Sequence, residues 1–264
     1  MIPYFDLPVY QLGPIPIDPW GTLVCIGFVL GLELARARGI KTGLDVRDVV
    51  DGIVATVLGG FVGGHLVHVL AYNPDQLAKD GVMALLRVWA GFSSFGGFLG
   101  AVIGSAVFFR LVRKRSWLAH ADAIMYGFPF GWIFGRLGCF SVHDHIGRRT
   151  DFFLAVQFPG GTRFDLGLLE AILALVIAGT FLVLGRKDRA PGTFLAAWAV
   201  MYAPVRFGLD FLRAGPEDLG KGLSHVDVRW AGLTPAQWGC ILMFAGGLFL
   251  WTRLAKKPAV AAAA

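Results

Sequence analysis

Long apolar runs, each closed by a short polar stretch, recur from one end of the chain to the other. They lie at about 20–36, 48–72, 92–112, 119–142, 166–185, 192–212 and 235–252. A helix needs about 20 apolar residues to cross a bilayer core, so these seven runs predict seven transmembrane helices. The segment before them has a different pattern. Pro3, Pro8, Pro14, Pro16 and Pro19 exclude a long helix there. The spaced apolar residues Tyr4, Val9 and Leu12 predict an arm at the membrane interface over residues 1–19. Broken by proline and lacking a basic start, this arm is not read as a cleavable signal peptide.

Composition agrees with that pattern. Of the 264 residues, 56% are hydrophobic and 16% charged, against about 25% charged in soluble domains. The expected fold is therefore an all-α integral membrane protein forming a single transmembrane domain over residues 1–264. The 36 glycines suit close helix packing. The net charge of +6 is no nucleic-acid signal, because the basic residues sit in short loops between apolar runs. Cys25, Cys139 and Cys240 are scattered and form neither a disulfide framework nor a metal-binding pair; they read as small buried side chains.

The basic residues also predict an orientation. Arg36, Arg38, Lys41 and Arg47 follow the first run, and Arg110, Arg113, Lys114 and Arg115 follow the third. Arg186, Lys187 and Arg189 follow the fifth, and Arg253, Lys256 and Lys257 follow the last. Together they outnumber Lys79, Arg87, Arg148, Arg149, Arg163, Arg213, Lys221 and Arg229 on the other side. The positive-inside rule then puts the N-terminus outside and the C-terminus in the cytoplasm, with external loops at 73–91, 143–165 and 213–234.

The stretch from Gly127 to Gly147 combines features that need explaining. It is apolar and glycine-rich, carries Arg136, and breaks into His143, Asp144 and His145. An arginine inside an apolar run is costly and is expected to face a cavity or a partner. Gly131, Gly135 and Gly138 allow a backbone or a lipid headgroup to approach closely. Near the end of the sixth run, Arg206, Asp210 and Arg213 are spaced four and seven apart and share a helix face, with Pro204 just before them. Guanidinium groups grip phosphate oxygens in a bidentate fork, so Arg136 and Arg206 suit a phospholipid headgroup.

Four histidines fall on the same expected side: His65 and His68 at i, i+3, and His143 and His145 flanking Asp144. They offer either an acid–base histidine or a metal set, His65/His68/His143/His145. Ser93 and Ser94, before Gly96 and Gly97, read as part of a close helix contact rather than a nucleophile. Glu33 and Glu170 are acids in apolar runs, each expected to pair with an arginine. His120 and Asp122 read as cap or loop residues.

Several of these segments together resemble the bacterial prolipoprotein diacylglyceryl transferases. They are the Gly-Arg-Leu-Gly of Gly135–Gly138 with the polar loop closing at Gly147, the pattern Arg206–Phe207, Asp210 and Arg213, and the stretch Leu233–Ile241. The opening arm is also similar, so the resemblance covers essentially the whole chain. The chain departs from the family pattern at Cys139, where asparagine is usual, and at Phe95, where histidine is usual. Trp20 stands for tyrosine, His65 and His68 for arginine and tyrosine, and Asp144 for glutamate.

The resemblance implies a multi-pass enzyme of the bacterial inner membrane. It would move a diacylglyceryl group from phosphatidylglycerol to the lipobox cysteine thiol of a prolipoprotein, releasing glycerol phosphate, with no cofactor. Arg136, Arg206, Arg213, Asp210, Gly138, Gly147, Gly96 and Gly97 would form the phospholipid site. His65, His68 or His143, with Asp144 and Arg206, would carry the chemistry in place of the missing family histidine. The residues leave two other readings open: a metal-dependent lipid-modifying enzyme on the four histidines, and a phospholipid-binding or transport protein without catalysis.

Overall fold

The structure is a computed structural model that describes residues 1–88, 91–215 and 229–255. In chain order it has short strands β1 (Ile2–Pro3), β2 (Tyr10–Leu12) and β3 (Ile15–Ile17), then helices α1 (Pro19–Lys41) and α2 (Val46–Val67). α2 continues as a π-helical turn to Tyr72. Two short helices, α3 (Pro74–Asp80) and α4 (Val82–Leu86), precede α5 (Ser94–Val107), which continues π-helically to Val112. Next come α6 (Trp117–Ser141), strands β4 (Ile146–Arg149), β5 (Val156–Phe158) and β6 (Gly161–Asp165), and helix α7 (Leu166–Leu184). α8 (Thr193–Leu209) ends in a 3-10 turn to Leu212, and α9 (Pro235–Ala255) follows.

A long helix coincides with every predicted span. Five of them, Val46–Tyr72, Ser94–Val112, Leu166–Leu184, Thr193–Leu212 and Pro235–Ala255, are long and apolar enough to cross a membrane. The chain is thus a mostly helical, multi-pass membrane protein. α1 and α6 are as long, and carry Glu33, Arg36 and Arg38, and Asp122 and Arg136, respectively.

The mostly helical structure agrees with the expected all-α class, and short strands are added to it. The segment expected as an external loop, 143–165, folds with the N-terminal arm into a four-stranded sheet of order β1-β5-β6-β4. β1 pairs parallel to β5, Ile2 opposite Val156, and β6 pairs antiparallel to both β5 and β4. β2 and β3 form a separate hairpin with Tyr10 opposite Ile17. Proline keeps the arm out of a helix, but its remaining N–H and C=O groups still need partners, and pairing supplies them. The expected loop 73–91 holds α3 and α4. Most of the expected loop 213–234, with Lys221, lies outside the described residues, as do Lys256 and Lys257.

The chain divides into two compact units. The first comprises Met1–Leu34, Gly127–Arg189 and Met201–Val226; the second comprises Ala35–Tyr126, Ala190–Val200 and Asp227–Ala264. In the first unit, α1 and α6 cross at glycine. A Cβ on Gly27 would lie 2.5 Å from the Gly131 carbonyl oxygen, and one on Gly131 would meet the Gly27 oxygen at 2.5 Å. β6 runs directly into α7, whose N-terminus is capped by Asp165 accepting from the Leu168 amide at 3.3 Å.

In the second unit, α2 and α5 press together along Gly59, Gly63, Gly96 and Gly100; a Cβ on Gly63 would stand 2.6 Å from the Gly100 Cα. Gly96, expected in the lipid site, is committed to this contact, since a Cβ there would lie 2.4 Å from the Gly63 oxygen. Ser93 caps α5, its hydroxyl accepting from the Gly96 amide at 3.2 Å. Asp122 is a cap as expected, but for a neighbouring helix: its Oδ1 accepts from the Phe194 and Leu195 amides of α8 at 2.7 and 3.1 Å. Such a carboxylate answers the unpaired amides and positive end of that helix.

Candidate functional site

The first unit contains a chain of buried ion pairs. Glu170, 1% exposed on α7, lies at its centre. Its Oε2 is 3.1 Å from Arg136 Nε of α6, and its Oε1 is 3.3 Å from Arg206 Nε of α8. The Tyr202 hydroxyl donates to Oε2 at 2.7 Å. Arg206 Nη1 also donates to Asp210 Oδ1 at 2.8 Å, and that same oxygen lies 3.0 Å from Arg213 Nε. The order is Arg136–Glu170–Arg206–Asp210–Arg213.

Each position follows from the local fold. Tyr202 and Arg206 are four apart on α8 and so reach the same carboxylate. Arg213 lies past the end of α8, in extended conformation, rather than continuing its helical face. It still meets Asp210, and its backbone bridges Gly147 of β4. Trp132, one turn before Arg136, lies beneath the guanidinium at 4.5 Å. The arrangement brings three guanidiniums to two carboxylates, with Arg136 and Arg206 buried. Guanidiniums held in this way suit an anionic group such as a phosphodiester.

Arg136 is the arginine with atoms to spare. Its Nε faces Glu170, while Nη1 points the other way, 3.2 Å from His145 Nε2 and 3.9 Å from Cys139 Sγ. His145 Nδ1 lies 2.7 Å from Asp144 Oδ1. Among the described residues, Cys139, Asp144 and His145 are the grouping that brings potential metal-ligand atoms within 4.8 Å of one another. It contains one of the four histidines expected in a metal set. The Arg136 guanidinium against both Nε2 and Sγ opposes a cation there.

His143 is held differently. It is buried, its Nδ1 is 2.7 Å from Asp165 Oδ2, and its Nε2 is 3.1 Å from the Phe5 carbonyl oxygen. Tyr4, Phe5, Phe140 and Phe158 surround the ring. Both nitrogens are engaged, so the histidine expected as a base instead ties the N-terminal arm to the loop after α6. Its φ of 50° places it in the left-handed turn that closes that loop. Burial pushes the Asp165 carboxyl above the usual carboxylate range, against the lowering effect of its hydrogen bond to His143.

The other expected histidines lie in the second unit. His65 Nδ1 is 3.2 Å from the Gly91 oxygen, and its Nε2 is buried without a hydrogen bond. His68 Nε2 is 3.1 Å from Asn73 Nδ2. Phe95, at the position where the resemblance expects histidine, lines an apolar cavity of about 370 Å³ with Trp230, Trp238 and Leu242. Of the expected site glycines, Gly138 packs on Trp20, where a Cβ would come within 3.3 Å of Cδ1. Gly147 packs on Phe164 and Leu212, where a Cβ would meet atoms at 2.7 Å. A Cβ on Gly97 would meet the Gly60 oxygen at 3.8 Å, an ordinary contact.

Sequence reasoning missed Tyr202 and Asp165. The four-residue spacing of Tyr202 to Arg206 was a usable signal; nothing local marks Asp165 as the partner of His143. Glu170 was expected to pair with one arginine and pairs with two.

The fold and site define a mostly helical, multi-pass membrane protein with two buried arginines on one carboxylate. The comparisons narrow this. The family model described as prolipoprotein diacylglyceryl transferase matches residues 8–253. A phosphatidylglycerol–prolipoprotein diacylglyceryl transferase of Methylibium petroleiphilum is 33% identical over 97% of this chain and 98% of its own length. The enzymes of that name from Photobacterium profundum and Bordetella bronchiseptica are 30% and 32% identical, each over at least 96% of both chains. The chain belongs to the prolipoprotein diacylglyceryl transferase family.

Proposed function

We propose that this protein transfers the diacylglyceryl group of phosphatidylglycerol to the lipobox cysteine thiol of a prolipoprotein, releasing glycerol phosphate. The observation that carries the reading is the Glu170-centred arginine chain, in a protein whose relatives bear that activity in their names. A phosphodiester carries one negative charge, and Arg136 and Arg206, held on one carboxylate, supply guanidinium groups to meet it.

The reaction needs three things. The phosphate must be held, the negative charge on the leaving phosphate must be stabilised as the glycerol carbon–oxygen bond breaks, and the acceptor thiol must lose its proton. Arg136 Nη1 faces away from Glu170 and supplies the first direct contact. Arg206 is held by two carboxylates and contributes a fixed field. Donors already in place need no reorganisation when the leaving charge appears, which is how such groups lower a barrier. An ordinary thiol has a pKa of about 8.5, so a base beside it raises the thiolate fraction near neutral pH.

The proposed topology has seven spans in the bacterial inner membrane, N-terminus outward and C-terminus cytoplasmic. The distribution of basic residues and the helices over all seven apolar runs support it. The β4–β6 segment would then lie on the outer side, where a secreted precursor presents its cysteine.

The test is purified protein with labelled phosphatidylglycerol and a lipobox peptide. Lipidated peptide and glycerol phosphate in equal amounts are the expected products. Phosphatidylglycerol binding with neither product would instead make this a lipid-binding protein.

A further inference from the structure

We propose that His145 is the base that takes the acceptor thiol proton, and that Arg136 occupies its lone pair until a phosphate draws the guanidinium away. The proposal rests on the transferase reading above.

The argument starts from donors and acceptors. Arginine donates and cannot accept. Arg136 Nη1 lies 3.2 Å from His145 Nε2, so Nε2 is the accepting nitrogen and the ring is neutral with its proton on Nδ1. Asp144 Oδ1 lies 2.7 Å from Nδ1, an ion-pair distance without hydrogen-bond alignment. A carboxylate that close to the ring stabilises the imidazolium formed when Nε2 takes a proton. The opposite holds at His143, where a carbonyl oxygen beside Nε2 requires that nitrogen to donate. Of the described histidines of this unit, His145 alone turns an accepting nitrogen toward the phosphate-binding arginine.

The groups facing His145 are Arg136 and Cys139 of α6, Asp144 of its own loop and, at longer range, Glu170 of α7. Arg136 is the movable member. Its Nε stays with Glu170 while Nη1 exchanges a neutral acceptor, Nε2, for a charged phosphate oxygen, which binds a guanidinium more strongly. Nε2 is then open toward the lipid glycerol. The steps balance. The thiol S–H proton moves to Nε2, the sulfur forms a bond to the glycerol carbon, and the carbon–oxygen bond to phosphate breaks with its electron pair on oxygen. The imidazolium then returns its proton to the departing glycerol phosphate. Order follows from the contact, since no base is exposed until the lipid phosphate is in place.

The experiment uses full-length protein in phosphatidylglycerol nanodiscs with a lipobox peptide. His145→Ala is expected to lower kcat at least about 100-fold, the usual span for a positioned base, with phosphatidylglycerol binding within threefold of wild type. Added imidazole is expected to restore turnover in His145→Ala and to have no effect on wild type. In ¹⁵N-histidine spectra, the Nε2 signal of His145 is expected to shift when phosphatidylcholine nanodiscs are exchanged for phosphatidylglycerol ones. Wild-type turnover in His145→Ala, or a loss that imidazole leaves untouched, overturns the base. An unshifted Nε2 signal overturns the gating by Arg136. Wild-type protein that binds lipid without turnover fails the transferase reading itself, a separate outcome.

Discussion

Arg136 and Arg206 reach opposite oxygens of one buried carboxylate, Glu170, at 3.1 and 3.3 Å. Both guanidiniums are buried among apolar helices and need such a partner. A lone buried charge costs several kcal/mol even after relaxation, and here one acid answers two bases. The shared acid also fixes the spacing of the two guanidiniums, and so the place where an anion can lie.

Glu170→Gln keeps the shape and removes the charge. It should destabilise the protein by about 3–5 kcal/mol, the usual effect of breaking a buried pair. Tyr202→Phe removes one hydrogen bond to the same carboxylate and should cost about 1.5–3 kcal/mol. Chemical denaturation in detergent measures both. The double variant should fall short of the sum, because both changes act on one group.

Arg136→Lys retains a positive charge and gives up the planar fork. A lysine cannot hold Glu170 through one nitrogen and offer a second to a phosphate. The expected loss in kcat/KM for phosphatidylglycerol is at least about tenfold, or ~1.4 kcal/mol of transition-state binding. Steady-state kinetics at fixed peptide concentration reads this directly.

His143→Asn tests a structural role. Asparagine tolerates the left-handed backbone found at this position but leaves Asp165 without its imidazole. Burial already holds the Asp165 carboxyl above its ordinary range, so the folded state binds that proton more tightly than the unfolded one. The stability this contributes is full at low pH and is lost as pH rises through the folded-state value. Removing His143 raises that value further, so the variant's penalty should be smaller at pH 5 than at pH 8. Melting curves at the two pH values check this, and adding Asp165→Asn should abolish the pH difference. Activity per folded molecule should stay close to wild type.

Gly131→Ala puts a methyl where only 2.5 Å separates the Cβ position from the Gly27 carbonyl oxygen. Backbone cannot yield as a flexible side chain does, so α1 and α6 must separate, at about 1–3 kcal/mol. Gly135→Ala, four residues on, meets nothing within 4 Å and should be neutral or slightly stabilising through better helix propensity. Thermal stability of the pair distinguishes a packing glycine from a permissive one.

Much of the site was legible one residue at a time. Arg136, Arg206 and Glu170 stood out because charge inside an apolar run is expensive wherever it occurs. The histidines were legible as a set, but their roles were not. His143 and His145 are two residues apart with similar sequence surroundings. One ends between Asp165 and the Phe5 carbonyl, the other between Asp144 and Arg136. Ser93, Gly96 and Gly138 were drawn into capping and packing by partners that no local pattern names.

The sequence by itself determined where the helices run and which residues are too polar for their surroundings. Both follow from transfer between water and hydrocarbon, which each segment undergoes on its own account. Tertiary structure decided the pairings: the arm strand against β5, one acid between two arginines, and the contact of Arg136 with one histidine rather than its neighbour. Those depend on which groups meet within about 3 Å, where a hydrogen bond or ion pair is made or lost, and a linear pattern of hydrophobicity carries no such distance.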